Sequence, residues 1–245
     1  MQRVDLSALS TARGGSSRLH GYLARPDGSG PWPGVVVLHE SFGVDEVMER
    51  MCWRLARAGY LTLLPNLFSD GGALRCLLAT TRAALSGRGR AYADIESARQ
   101  WLIRHDDCTG KVGAVGFCMG GAFAIVVAAR GFDAVSTNYG VPPKDLDAAL
   151  SGACPVVGSY GGRDPVLRGA AAKVDAALER VGVPRDVKEY PRAGHSFLND
   201  APVGPLVLRP LMKVMGIGPH PESAADAWQR IEAFLGGHLG DDAQS

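Results

Sequence analysis

Gly116-Phe117-Cys118-Met119-Gly120-Gly121 is the stretch on which the fold of this chain turns. Before it runs Lys111-Val112-Gly113-Ala114-Val115, short and β-branched, which reads as a buried strand. After it runs Ala122-Phe123-Ala124-Ile125-Val126-Val127-Ala128-Ala129, long and alanine-rich, which reads as a helix. A turn from strand into helix, with glycines flanking a nucleophilic side chain, closes only if its neighbours are small. It lifts that side chain above the end of the sheet. The nucleophile here is a cysteine where serine is usual.

Outward from this turn the pattern alternates. Arg18 to Ala24 and Gly34 to Leu38 read as strands joined by a Pro/Gly turn. Asp45 to Ala58 reads as an amphipathic helix stopped at Gly59, with Val47, Met48, Met51, Cys52 and Leu55 on one face. Tyr60 to Leu64 is the next strand. Leu74 to Leu85 is a short helix in a glycine- and arginine-rich stretch, and Tyr92 to Arg104 is a firmer one. Beyond the elbow come strands at Ala134 to Asn138, Pro155 to Tyr160 and Asp186 to Tyr190, and helices at Leu167 to Val181 and Ser223 to Leu235. This alternation predicts an α/β fold, a mostly parallel central sheet with helices on both faces, in one domain over 1–245. Residues 200–222 form an apolar insertion rich in proline and glycine, with Val203, Leu206, Val207, Leu208, Leu211, Met212, Val214 and Met215. It reads as a lid over the pocket or a dimer contact, or else as a loop packed on the core.

The bulk properties narrow the function. At 245 residues the chain can bury a large core. Its formal net charge of +1 gives no basic stripe for nucleic acid. No apolar run reaches the roughly 18 to 20 residues that span a bilayer, and Met1-Gln2-Arg3-Val4-Asp5-Leu6 lacks a signal-peptide core. Five scattered cysteines, with no Cys-x-x-Cys pair, argue against a disulfide framework and a zinc site and for a reducing cytoplasm. The expected partner is a small molecule, with no membrane and no nucleic acid, on a monomer or homodimer.

A cysteine nucleophile needs a base, and the base needs an orienting acid. Past the strand at Pro155 lies Gly161-Gly162-Arg163-Asp164-Pro165, and past the strand at Asp186 lies Gly194-His195-Ser196-Phe197. Cys118, Asp164 and His195 thus follow in order, each just beyond a strand end, where ligands bind in open parallel sheets. Alone, each has a plainer reading: a buried thiol in a tight junction, a turn-starting aspartate, a loop histidine. Their order and matching positions favour a triad. His39 also ends a strand but precedes the nucleophile. The amide of Met119 at the helix start, with the backbone near Ser41, would hold an oxyanion.

Over roughly residues 18–200 the chain resembles the dienelactone hydrolase family, a cysteine branch of the α/β-hydrolase fold. The resemblance rests on His39-Glu40-Ser41-Phe42-Gly43-Val44, on the elbow, on Gly161-Gly162-Arg163-Asp164-Pro165 and on Gly194-His195-Ser196-Phe197. It implies Cys118 as nucleophile, His195 as base and Asp164 as its orienter. Glu40 matches a family carboxylate that contacts the cysteine and helps activate it; its plainer reading is a solvated strand-end acid. Tyr139-Gly140-Val141 resembles the segment after the next strand, and places Tyr139 at the substrate. Four residues after the histidine, where typical members carry an arginine for the substrate carboxylate, this chain has Asn199; Arg82, Arg88 or Arg90 would supply part of that charge. The implied reaction opens an enol lactone through an acyl-thioester, with no cofactor or metal. The chemistry agrees. A thiol of pKa about 8.5 departs more readily than an alkoxide, so a cysteine hydrolase needs a stabilised leaving oxygen such as an enolate or phenolate. A thioesterase or acyl transferase with the same triad, and a non-catalytic ligand-binding member of the fold, are the alternatives.

Overall fold

The computed structural model describes residues 1–202, 204, 209–214 and 216–240. Eight strands form one sheet: β1 (Gln2–Asp5), β2 (His20–Ala24), β3 (Trp32–Leu38), β4 (Leu61–Pro65), β5 (Cys108–Phe117), β6 (Val135–Asn138), β7 (Val156–Gly161) and β8 (Arg185–Tyr190). Their spatial order is β1-β2-β4-β3-β5-β6-β7-β8. The pairs β1–β2 and β2–β4 are antiparallel, and every later pair is parallel. Strands β4 and β7 are buried at every residue, as is β3 from Gly34 on. Near-continuous apolar runs of this kind mark a sheet covered on both faces. The edge strand β8 instead exposes Lys188 and Glu189, which discourages pairing with another chain.

Alternation along β5 sorts the helices. A side chain on Gly113 would press on Leu235 and Leu239 of α9 (Pro221–Leu239), and the Phe117 ring lies 5.8 Å from Trp228 on that helix. Gly116, on the opposite face, lies against α5 (Met119–Val127). With α9 sits α2 (Glu46–Arg57), joined to it by the Arg54–Glu232 ion pair at 2.7 Å. Asp45 caps α2 by accepting from the Met48 amide at 2.9 Å. On the α5 side pack α3 (Gly72–Ser86) and α4 (Arg90–Ile103), and α7 (Ala170–Arg180) covers β7 and β8.

The expected elements are present, several with longer bounds: α3 runs past both ends of the expected Leu74–Leu85, and α9 continues to Leu239. Short elements without a long periodic pattern escaped the sequence reading: β1, α1 (Ser7–Thr11), α6 (Leu146–Leu150) and α8 (Arg209–Val214). Of the apolar residues read in the insertion, Val203, Leu206, Val207, Leu208 and Met215 lie outside the described residues. Among the described residues no helix is long and apolar enough to cross a membrane.

Candidate active site

Five consecutive parallel strands deliver one candidate each at their carboxyl ends: Glu40 after β3, Cys118 after β5, Tyr139 after β6, Asp164 after β7 and His195 after β8. At the elbow, Cys118 has φ 54° and ψ −113°, outside both helix and strand, and α5 begins at the next residue. Its amide donates to the Asn138 carbonyl at 3.0 Å, which ties the turn to β6. The flanking glycines are a packing requirement. A Cβ on Gly116 would collide with the Gly120 carbonyl, and one on Gly120 with the Leu38 carbonyl. The strain is shared: among the described residues the non-glycine positions with positive φ are Cys118, Tyr139 and Ser196, all at this site. Each costs on the order of 1–3 kcal/mol and survives only where surrounding bonds enforce it.

Asp164 is almost wholly buried. One of its oxygens accepts from the Val166 amide at 3.0 Å and the other receives His195 Nδ1–H at 2.5 Å. This fixes a proton on Nδ1 and leaves Nε2 outside the bond to Asp164. Burial pushes the His195 pKa down, but the bond to Asp164, followed by the bond and charge of Cys118, outweighs it and raises the pKa to about 10. Within hydrogen-bonding range of the Cys118 sulfur, among the described residues, is the Ser41 hydroxyl at 3.9 Å. Cys118 also lies near enough to His195 to help raise the pKa of its ring. The amides of Ser41, which follows β3, and of Met119, the first residue of α5, donate to no described residue.

Glu40 is buried but makes no hydrogen bond to Cys118 among the described residues. It accepts from Ser196 Oγ at 3.0 Å and from Asn199 Nδ2 at 3.3 and 3.4 Å, and Asn199 in turn accepts from the Tyr139 hydroxyl at 3.3 Å. Burial raises the Glu40 pKa, against the pull of the His195 charge and of both donors. Burial, together with the charges of Glu40 and Cys118, holds the Tyr139 phenol far above its ordinary range. Asn199 and Tyr139 are thus linked to Glu40, and the Tyr139 ring lies 5.2 Å from that of His195. Ser196 was missed in the sequence, although its place beside His195 was a signal.

Arg82 is not brought into this group: it is exposed on α3 and makes no ion pair among the described residues. Arg90 pairs with Asp70 at 2.8 Å, and Arg88 is exposed. His39 is fully buried, donating from Nδ1 to the Glu40 carbonyl at 2.7 Å and accepting the Leu67 amide on Nε2 at 3.1 Å. Of the other cysteines, Cys52 and Cys76 are buried, and burial raises the thiol pKa of Cys52, of Cys108 and, to about 12, of Cys154.

Comparison with known proteins agrees with the fold. The model of the dienelactone hydrolase family matches residues 19–239. A Yersinia pestis protein named "Putative carboxymethylenebutenolidase" is 32% identical, covering 87% of this chain and 81% of its own. The carboxymethylenebutenolidase of Pseudomonas putida is 29% identical over 75% of this chain and 83% of its own. Among solved structures, a dienelactone hydrolase-like promiscuous phosphotriesterase, P91, from metagenomic libraries shares the fold with a TM-score of 0.78, at 23% identity and 98% coverage of both chains.

Proposed function

The chain belongs to the dienelactone hydrolase family, and on that premise we propose that it is a cysteine-dependent hydrolase of an activated ester or enol lactone. The observation that carries the reading is the Asp164–His195 bond at 2.5 Å beside a cysteine on a strained elbow. In the first step Cys118 Sγ attacks the carbonyl carbon. The carbon–sulfur bond forms as the carbonyl π pair moves to oxygen, where the amides of Met119 and Ser41 receive it. Collapse breaks the carbon–oxygen bond to the leaving group, which takes a proton from His195 and leaves an acyl-thioester. Water then attacks with His195 as base, the thiolate departs, and the carboxylic acid is released. Glu40, Tyr139 and Asn199 form a buried, hydrogen-bonded group beside the imidazole. A thiolate leaves a tetrahedral intermediate more readily than an alkoxide, so turnover favours enol and aryl esters over alkyl esters.

The test is hydrolysis of an aryl acetate and of an enol lactone by the wild type and by Cys118→Ala. Turnover of at least one substrate is expected, with a loss of roughly a hundredfold or more in the variant. Mass spectrometry of the quenched wild type should find the acyl group on the peptide that contains Cys118. Equal rates in the two proteins would overturn the mechanism.

A further inference from the structure

A cavity of about 700 Å³ lies next to the loops that carry Asp164 and His195, bounded by Arg163 and Gly194, their chain neighbours, but not by Cys118, Ser41 or Tyr139. Three arginines line it, Arg163, Arg192 and Arg209. Arg192 is neutralised by Glu222, with both carboxylate oxygens at 2.7 Å. Arg209 donates only to a neutral group, the Gly204 carbonyl at 3.2 Å, and Arg163 pairs with no acid, both among the described residues. Between the arginines the walls are apolar, with Met212, Ile217 and Pro219. The floor is stitched to the catalytic loop: the Gly218 amide donates to the His195 carbonyl at 2.9 Å, and the His220 amide to the Phe197 carbonyl at 3.1 Å.

The geometry points to a binding site in this cavity for an amphipathic organic acid, its carboxylate between Arg163 and Arg209 and its apolar body against Met212 and Ile217. A guanidinium group without an acid partner favours an anion, and its planar fork matches a carboxylate. The apolar walls exclude a fully hydrated ion such as inorganic phosphate as the best occupant, and the volume is that of an ordinary small-molecule pocket. The acid has two sources, the product of the enzyme's own hydrolysis or an unrelated metabolite; the carboxylate chemistry is the same for both.

Calorimetric titration with 4-phenylbutyrate and with its neutral amide tests this site in the intact protein. The acid is expected to bind about tenfold or more tightly than the amide, a difference of about 1.4 kcal/mol. The double variant Arg163→Gln/Arg209→Gln should lose about the same factor while keeping the wild-type melting temperature and aryl acetate turnover. Binding should persist after Cys118 is blocked with iodoacetamide, which separates this site from the catalytic cleft, whatever the outcome for the hydrolase mechanism. Repeating the titration with the acid released from the enzyme's best ester distinguishes the two sources: affinity at or above that of 4-phenylbutyrate assigns the site to product, and weaker affinity to another acid. Equal binding of acid and amide, equal binding of inorganic phosphate, unchanged affinity in the double variant, or loss of binding on blocking Cys118 would each overturn the proposal.

Discussion

His39 follows β3 and His195 follows β8, and both rings are withdrawn from solvent. Burial disfavours the imidazolium at each. At His39 both nitrogens are engaged by backbone, and the Glu40 carbonyl and the Asp45 charge only partly offset burial, so the pKa falls to about 4. At His195 the partners are a carboxylate and a thiol, and the pKa rises to about 10. Depth alone therefore does not set protonation; the charge of the partner does. One histidine is a neutral brace between the Glu40 loop and Leu67; the other is pushed toward its charged form, the form that the proposed mechanism uses to donate a proton.

The sharpest way to break that contrast is Asp164→Asn, which keeps the shape and removes the charge. On the triad reading kcat should fall by about 10³ to 10⁴, because the imidazole takes the wrong tautomer and loses its counter-charge. A fall of less than tenfold would mean that His195 does not depend on Asp164.

Titration of stability sharpens it next. The folded pKa of His39 lies below the unfolded value of about 6.5, so its contribution is complete above that pH and is lost as pH falls through about 4. The loss amounts to about 3 kcal/mol. Urea unfolding at pH 7.5 and pH 4 should register it in the wild type and much less of it in His39→Gln. His195 runs the other way: its folded pKa is raised, so its contribution is complete below about 6.5 and fades as pH rises through about 10. The His195→Gln variant should flatten that alkaline limb. Parallel limbs in wild type and both variants would refute the opposed assignments.

The smallest expected effect is at Ser196. Ser196→Ala removes one of the two side-chain donors to buried Glu40, at a cost of about 1 kcal/mol in stability. A smaller loss on making Ser196→Ala in a Glu40→Gln background would tie the effect to the hydroxyl's bond with Glu40.

The two histidines also mark where the sequence could be read. The elbow was legible because its constraint is local: Gly116 and Gly120 touch backbone within a few residues or on the adjoining strand. The order of Cys118, Asp164 and His195 was legible because each follows a strand whose apolar run is plain. The state of His39 was not, since it depends on the Leu67 amide, 28 residues on. The grip of Ser196 and Asn199 on Glu40 spans 156 and 159 residues and depends on which loop faces which. No short-range pattern reports such a pairing. The cavity beside the His195 loop was hidden likewise, since Arg163, Arg192 and Arg209 are remote in sequence and each alone reads as an ordinary surface charge.

The sheet order carries a consequence for how such a chain can diversify. Glu40, Cys118, Tyr139, Asp164 and His195 each stand just past a different parallel strand, and the strand register fixes them relative to one another. The length of chain between one strand's end and the next helix is then nearly free to vary. The stretch from 200 to 220, which carries α8, lies between His195 and α9. Evolution, or an engineer, can lengthen, shorten or exchange that stretch to admit new molecules while the catalytic group keeps its spacing. Chemistry and selectivity are heritable here as separate modules.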